Sequence, residues 1–294
     1  MKVLVTGWFS FELMGTSAGD LLARDLICDW LKDADVGYDI AVATPFSGGV
    51  DWRDCKADDY SAVIFICGPF GNGPPLIDFL EYFSKLPLIG LNLSMLQGLD
   101  AWNPFHLLLE RDSNETQRPD LVFLTEQQKV PVVGLILVHA QQEYGGRAMH
   151  EEADAALRHL IEAREMAVVT IDTRLDENLT DLRTSSEVES LIAKTDIVIT
   201  TRLHGMVLAI KNGVPPLVVD PIAGGAKILR QAGVIDWPIV FTADTLEWQQ
   251  LETALDYCLS DEGRQKTTEV RAGAIASLAE VKDQLIAGLS DIEA

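Results

Sequence analysis

Only four cysteines occur in the 294 residues, and Cys28, Cys55, Cys67 and Cys258 lie far apart with no paired spacing. That scarcity excludes a disulfide framework and argues against a zinc site, leaving reduced, mostly buried thiols. Long apolar runs are missing too. The longest, Val132 to Val138, is far below the roughly 20 residues that span a bilayer. The apolar stretch at the N-terminus, MKVLVTGWFSFE, is too short for the core of a secretory leader, so a soluble, cytoplasmic chain is expected. Basic residues are few, 23 against 45 acidic ones, for a net charge of -22. The resulting field disfavours nucleic acid and anionic membranes as partners but says little about small anions, which answer to local charge. Low-complexity tracts and obvious repeats are absent as well.

What is present is a folded composition, 48% hydrophobic and 23% charged, long enough for two cores. The opening VLVTG reads as a parallel strand closed by Gly7. From Ser17 the spacing turns helical, with Leu21, Leu22, Leu26, Ile27, Trp30 and Leu31 on one face. Further strands are expected at 39–43, 61–68 and 87–94, with a helix opening after Pro74 and Pro75 and running to about Lys85. Residues 111–130 are polar and irregular, which puts a domain boundary near residue 128. The rhythm then resumes: VPVVGLILV, EEADAALRHLIEA, MAVVTID, SSEVESLIAK, TDIVITT, a helix through LAIKNG, and PLVVD. A last helix over roughly 262–288 is long enough to pack back on the first domain. Strands alternating with helices mean parallel sheets covered on both faces. Two α/β Rossmann-like domains, 1–128 and 129–294, facing across a cleft, would be the architecture of the two-Rossmann (GT-B-like) glycosyltransferases.

The densest chemistry lies in TDIVITTRLHGMVLAIKNGVPPLVVDP, residues 195–221. Arg202 and His204 fall where a strand ends and a helix begins, the place where open α/β sheets bind ligands. Free N–H groups at a helix start favour an anion, and a guanidinium adds a paired clamp. The plain alternative is a strand–helix junction with an exposed arginine and a histidine packing locally. The flanking pattern, an apolar strand, TRLHG, a helix, Gly213-Val214-Pro215 and a second apolar strand, closely resembles the C-terminal motif of the polysaccharide pyruvyl transferases. Weaker similarities to that family occur at PDLVF (119–123) and at the glycine-ended strand 63–68. The first loop, residues 7–20, departs from the family's Gly-x-x-N-x-G-D: the asparagine is missing, the loop is longer, and only Gly19 and Asp20 correspond.

The resemblance implies a transferase that moves pyruvate from phosphoenolpyruvate to hydroxyls of a saccharide or lipid-linked sugar, with no metal or organic cofactor. It puts Arg202, Leu203 and Gly205 at the donor site, with His204 as the proton-transfer group and Arg202 stabilising the departing phosphate. Lys227, just past the next strand, would add positive charge, and Asp20 would serve the acceptor side. His139, at the end of VVGLILV, and Arg147, after Gly145-Gly146, either complete the anion site opposite Arg202 or form an ordinary polar loop. Two other readings stand beside this one. A glycosyltransferase using a nucleotide sugar commonly carries a glutamate on the helix after the motif, whereas MVLAIKNG has no acidic residue. A sugar- or anion-binding relative without turnover would account for the altered first loop.

Overall fold

Runs of β-branched and aliphatic residues form the strands, and their alternation sets what each face of the sheet buries. In the computed structural model, which describes residues 1–138 and 142–293, the chain divides into units Met1–Gln127 and Gln128–Ala294. The first unit contains β1 (Lys2–Gly7), α1 (Ala18–Asp33), β2 (Gly37–Ile40), β3 (Ala62–Ile66), β4 (Pro69–Phe70), α2 (Leu76–Tyr82), β5 (Leu88–Leu91), β6 (Ser94–Met95) and β7 (Leu107–Leu109). Its main sheet runs β2-β1-β3-β5-β7 with every pairing parallel, and β4 and β6 make a small parallel pair. Val3 and Val5 face the same way as Ile64 and Ile66 and meet Ala23 and Ile27 of α1. Leu4, Val63 and Phe65 face the other way, into an aromatic core with Phe70, Phe79 and Trp52. A strand buried on both faces has no polar side to show, which is why these runs read as continuous apolar stretches.

The second unit repeats the plan. It holds β8 (Val132–Ile136), α3 (His150–Glu162), β9 (Ala167–Thr170), α4 (Ser185–Ile192), β10 (Ile197–Thr200), α5 (Leu203–Lys211), β11 (Pro216–Asp220), α6 (Lys227–Ile235), β12 (Val240–Thr242), α7 (Trp248–Leu259), α8 (Asp261–Ser277) and α9 (Val281–Glu293). Its sheet order is β12-β11-β10-β8-β9, again all parallel. In both units the chain steps to one side of the first strand and then returns to build the other side. The order therefore reverses between β1 and β3 and between β8 and β10, and the crevice at the carboxyl ends of such a strand pair is where this class of sheet holds ligands. The expected fold class, α/β with two Rossmann-like parallel sheets, is what the chain adopts.

Three local readings differ from the sequence pattern. α2 stops at Tyr82 rather than near Lys85, with Pro75 at its N-cap. The second strand is Gly37–Ile40, and Ala41 adds only an isolated bridge to Val50. The single long helix expected over 262–288 is two helices. Between them the N–H groups of Leu278, Ala279 and Val281 bond back three residues, to Ile275, Ala276 and Leu278, and the Ser277 hydroxyl takes the Ala274 carbonyl. This tightening interrupts the four-residue ladder. α8 packs on α5, α6 and α7 of its own unit.

The junction from β10 to α5 depends on Gly205. A Cβ there would meet Thr200 Oγ1 at 2.2 Å and the Ile136 side chain at 3.1 Å, so only a bare Cα lets α5 descend onto β8 and β10. Gly205→Ala is expected to destabilise the fold by about 1–3 kcal/mol, read as a lower urea midpoint at unchanged slope. Gly273→Ala is the control: that glycine lies in α8 with open space around it, and alanine there should leave stability equal or raise it by up to about 1 kcal/mol.

Candidate functional site

The carboxyl ends of β8 and β10 are tied together by threonine hydroxyls. Thr200, fully buried, donates from Oγ1 to the Ile136 carbonyl at 2.7 Å and accepts from the Arg202 N–H at 3.0 Å. The Thr201 N–H donates to the same carbonyl at 3.1 Å, and Thr201 Oγ1 accepts from the Val138 N–H at 2.9 Å. These bonds hold Arg202 extended at the N-cap of α5, where its own side chain makes no capping hydrogen bond to the first turn. The N–H groups of Leu203, His204 and Gly205 begin the helix there, and a helix start without a side-chain cap carries partial positive charge suited to an anion. At the far end of α5, Gly213 takes a left-handed conformation (φ 76°) and the Val214 N–H returns to the Ala209 carbonyl at 2.9 Å. This closure positions Pro215 and β11.

Arg202 is mostly buried, its side chain 20% exposed, and its Nη1 faces Asp172 Oδ1 at 3.4 Å. Burial draws the guanidinium below its usual value, with Asp172 opposing and Arg174 assisting that shift. It nevertheless stays charged, as arginine does throughout proteins. Asp172, 5% exposed, follows β9 and accepts from the N–H groups of Arg174 and Leu179 at 2.9 and 3.1 Å. Sequence reasoning missed it. Its signal was its place just past the strand MAVVTI, at the same carboxyl edge as Arg202. His204 stands exposed in the first turn of α5.

Arg147 belongs to the other flank of the crevice. Its carbonyl accepts from the Ala223 N–H at 2.9 Å, and the Met149 N–H donates to the Pro221 carbonyl at 2.8 Å. The loop after β8 thus docks on the loop after β11. There the Arg147 side chain borders a cavity of about 390 Å³ with Gly224, Gly225 and Arg230. Asp220 shapes this loop from beneath: buried, it accepts from the N–H groups of Ile222, Ala226 and Leu229 at 3.2, 2.7 and 3.0 Å. Lys227 opens α6 directly above it, half-buried. His139 lies outside the described residues. Asp20 sits in the first unit, where its carboxylate accepts from the N–H and hydroxyl of Ser17, both at 2.7 Å, and closes the capping box of α1.

A second unforeseen carboxyl, Asp154, lies on α3 one turn after His150 and beside Thr201. Its buried Oδ1 meets no hydrogen-bond partner among the described residues. Burial raises its pKa above the ordinary carboxyl value, against the charges of Arg158 and His150 and the Thr201 hydroxyl, which lower it. The spacing hid it: Ala153, Leu157 and Leu160 mark the buried stripe of α3, and Asp154 borders that stripe as an apparent surface residue. Among the described residues no group of three or more His, Cys, Asp or Glu stands together as a metal site, and no helix is long and apolar enough to cross a membrane.

The strand–RLHG–helix–GVP–strand unit at a reversal of strand order is the deciding feature. Residues 116–221 match the polysaccharide pyruvyl transferase family model. The resemblance read from the sequence is thereby borne out over a little more than a third of the chain, from Thr116 through β11, and it indicates a transferase. The match ends before Lys227. No curated protein matches the chain. Solved structures resembling it include a spinosyn rhamnosyltransferase (13% identity, TM-score 0.34, covering 96% of this chain and 100% of that one). Others are the UDP-GlcNAc 2-epimerase of Methanocaldococcus jannaschii (11%, 0.34, 92% and 99%) and MurG of Acinetobacter baumannii (12%, 0.33, 92% and 95%). The fold rests on the strand order.

Asp154 yields a test with a definite sign. Its folded-state pKa is raised, so the folded chain binds more protons than the unfolded one as pH climbs from about 3.9, and stability falls through that window. Asp154→Asn removes the cost of charging a buried carboxyl. The variant is expected to melt at higher temperature than the parent at neutral pH, with the gain shrinking as pH is lowered toward about 4. Calorimetric melts across pH check it, and a variant less stable at neutral pH would refute the assignment.

Proposed function

We propose that the protein transfers pyruvate from phosphoenolpyruvate to two hydroxyls of a saccharide, forming a cyclic ketal and releasing phosphate. The observation that carries this reading is Arg202: a charged guanidinium, mostly buried, at the uncapped start of α5 and at the β8–β10 reversal. A small dianion or trianion gains most from such a place, because paired donors and helix N–H groups act there against little competing solvent. The long 3.4 Å contact with Asp172 engages only one nitrogen of the fork, so Asp172 orients the guanidinium and moderates its charge until donor arrives. Phosphoenolpyruvate carries its phosphate and carboxylate on one three-carbon frame, which suits a compact cationic site better than a nucleotide sugar does. The family match over residues 116–221 supports the same chemistry.

In the reaction the methylene carbon of the donor takes a proton, and C2 becomes electrophilic with oxocarbenium character. One sugar hydroxyl adds to C2 and gives up its proton. The C2–O bond to phosphate breaks, phosphate leaves with the electron pair, and the second hydroxyl closes the ketal with loss of its proton. Arg202 and the first-turn N–H groups hold the negative charge that builds on the leaving phosphate. His204, in the same turn, is assigned the hydroxyl proton, since imidazole accepts and returns protons near neutrality. Lys227 and Arg147 are assigned to the charge on the donor or acceptor from the β11 side.

Phosphoenolpyruvate is expected to stabilise the protein by about 2.7 kcal/mol at a hundredfold excess over its dissociation constant, and uridine or guanosine diphosphate sugars to do far less. The reverse ranking in a thermal-shift comparison would favour a glycosyltransferase. Arg202→Ala should weaken donor binding, and Arg202→Lys should restore it only in part, because an ammonium lacks the planar fork. His204→Ala should bind donor nearly as well as the parent yet release phosphate roughly 10²–10⁴-fold more slowly with acceptor present. Full turnover in His204→Ala would remove it from the mechanism. Donor binding with no phosphate release across a broad sugar panel would mark a binding protein.

A further inference from the structure

The first unit has its own reversal of strand order, between β1 and β3, and what gathers there differs in kind from the second unit's charged crevice. Trp8 follows β1 directly. Its Nε1 donates to the Pro69 carbonyl at 3.2 Å, and its ring packs against Phe11 and edge-on against Phe65, with centroids 5.8 and 6.0 Å away. Gly68, at φ 75°, must be glycine twice over: the conformation is left-handed, and a Cβ would strike the indole at 2.3 Å. The indole is thus held in one place before any ligand comes, so binding against it forfeits little side-chain freedom.

Around Trp8 the loops after β4 and β6 carry two amide side chains. The Asn72 N–H donates to Gln97 Oε1 at 3.1 Å and joins the loop after β4 to the loop after β6. Trp8, Pro69, Asn72, Gly73, Leu96 and Gln97 border a cavity of about 220 Å³, and among the described residues no charged side chain lines it. In a chain with a net charge of -22, a neutral cavity of this make-up selects against ions. Its volume is that of roughly seven liquid waters at about 30 Å³ each, the scale of one sugar ring. The Asn72 side chain is exposed and shows no hydrogen bond among the described residues, so its amide, which can both donate and accept, stands ready for hydroxyls. A pyranose offers a patch of weakly positive C–H groups to the electron-rich indole and equatorial hydroxyls to the amides.

We propose that the cavity bordered by Trp8, Asn72 and Gln97 is a subsite for a neutral pyranose ring, a unit of the saccharide acceptor. The proposal rests on the saccharide acceptor named above. It adds which ring chemistry is taken, neutral and unphosphorylated, and which residues take it.

The test is saturation-transfer NMR on the full chain with the methyl pyranosides of glucose, galactose and N-acetylglucosamine, and with the corresponding uronic acids. At least one neutral glycoside should receive magnetisation at its ring C–H protons, and the uronic acids should receive much less. Asn72→Ala and Gln97→Ala should each weaken binding by about 3–10-fold, the weight of one neutral hydrogen bond. Trp8→Ala should abolish transfer, and Trp8→Phe should keep part of it. If Trp8→Ala proves too unstable to purify, the two amide variants carry the test, since their side chains lie at the rim. Absence of transfer from every neutral glycoside, transfer unchanged in both amide variants, or equal binding of the uronic acids would overturn the subsite. Phosphoenolpyruvate stabilisation is measured on the same samples. Its loss in the parent protein would sink the donor assignment while leaving the sugar result to stand alone.

Discussion

Everything about the charged crevice depends on how closely α5 can approach the ends of β8 and β10. With no side chain on Gly205, the first turn of α5 rests on the Thr200 hydroxyl, and that hydroxyl in turn is committed to the Ile136 carbonyl and the Arg202 N–H. One short polar side chain thus satisfies a strand end and the start of a helix together. The result is a helix whose first N–H groups are not consumed by a cap from the Arg202 side chain. A serine or aspartate cap would have stabilised α5 by about 1 kcal/mol, and its absence leaves the site electrostatically open.

The charges near this point are arranged to be tolerable without being fully neutralised. A buried arginine needs a counter-charge, and Asp172 supplies one at a distance too long for a strong ion pair. Asp172 is itself held by the backbone of its own loop, so it does not follow the guanidinium if the latter shifts toward an incoming anion. Asp220 works differently. Its oxygens are spent on three backbone N–H groups, which fixes the glycine-rich turn ahead of α6, beside the cavity that Arg147 and Arg230 border. Asp154 is the costly member, partly buried with one oxygen unpartnered among the described residues.

The two units share one strand order and yet gather opposite chemistry at its reversal. In the second, the loops bring arginines, carboxylates and uncapped N–H groups; in the first, an indole, amides and prolines. Strand order dictates only where a ligand can lie, and the loop residues dictate what it can be. The anionic donor and the neutral sugar ring proposed above make the same division of demands.

Much of this was written in the chain itself. The β-branched runs, the glycines that end them and the alternation with helical spacing specified two parallel sheets, because those patterns act through backbone geometry and local burial. The RLHG unit at a strand end announced the Arg202 crevice for the same reason: a strand, a turn and a helix are neighbours in sequence as well as in space. Only the tertiary structure could reveal that Arg202 meets Asp172, thirty residues away in sequence, or that Asp154 turns from a helix surface toward Thr201. It alone joined the Arg147 loop to residues 221–226 and stood Trp8 beside Asn72 and Gln97. These contacts arise where separate crossover connections converge on one sheet edge, and no periodicity along a single segment records which loops will meet there.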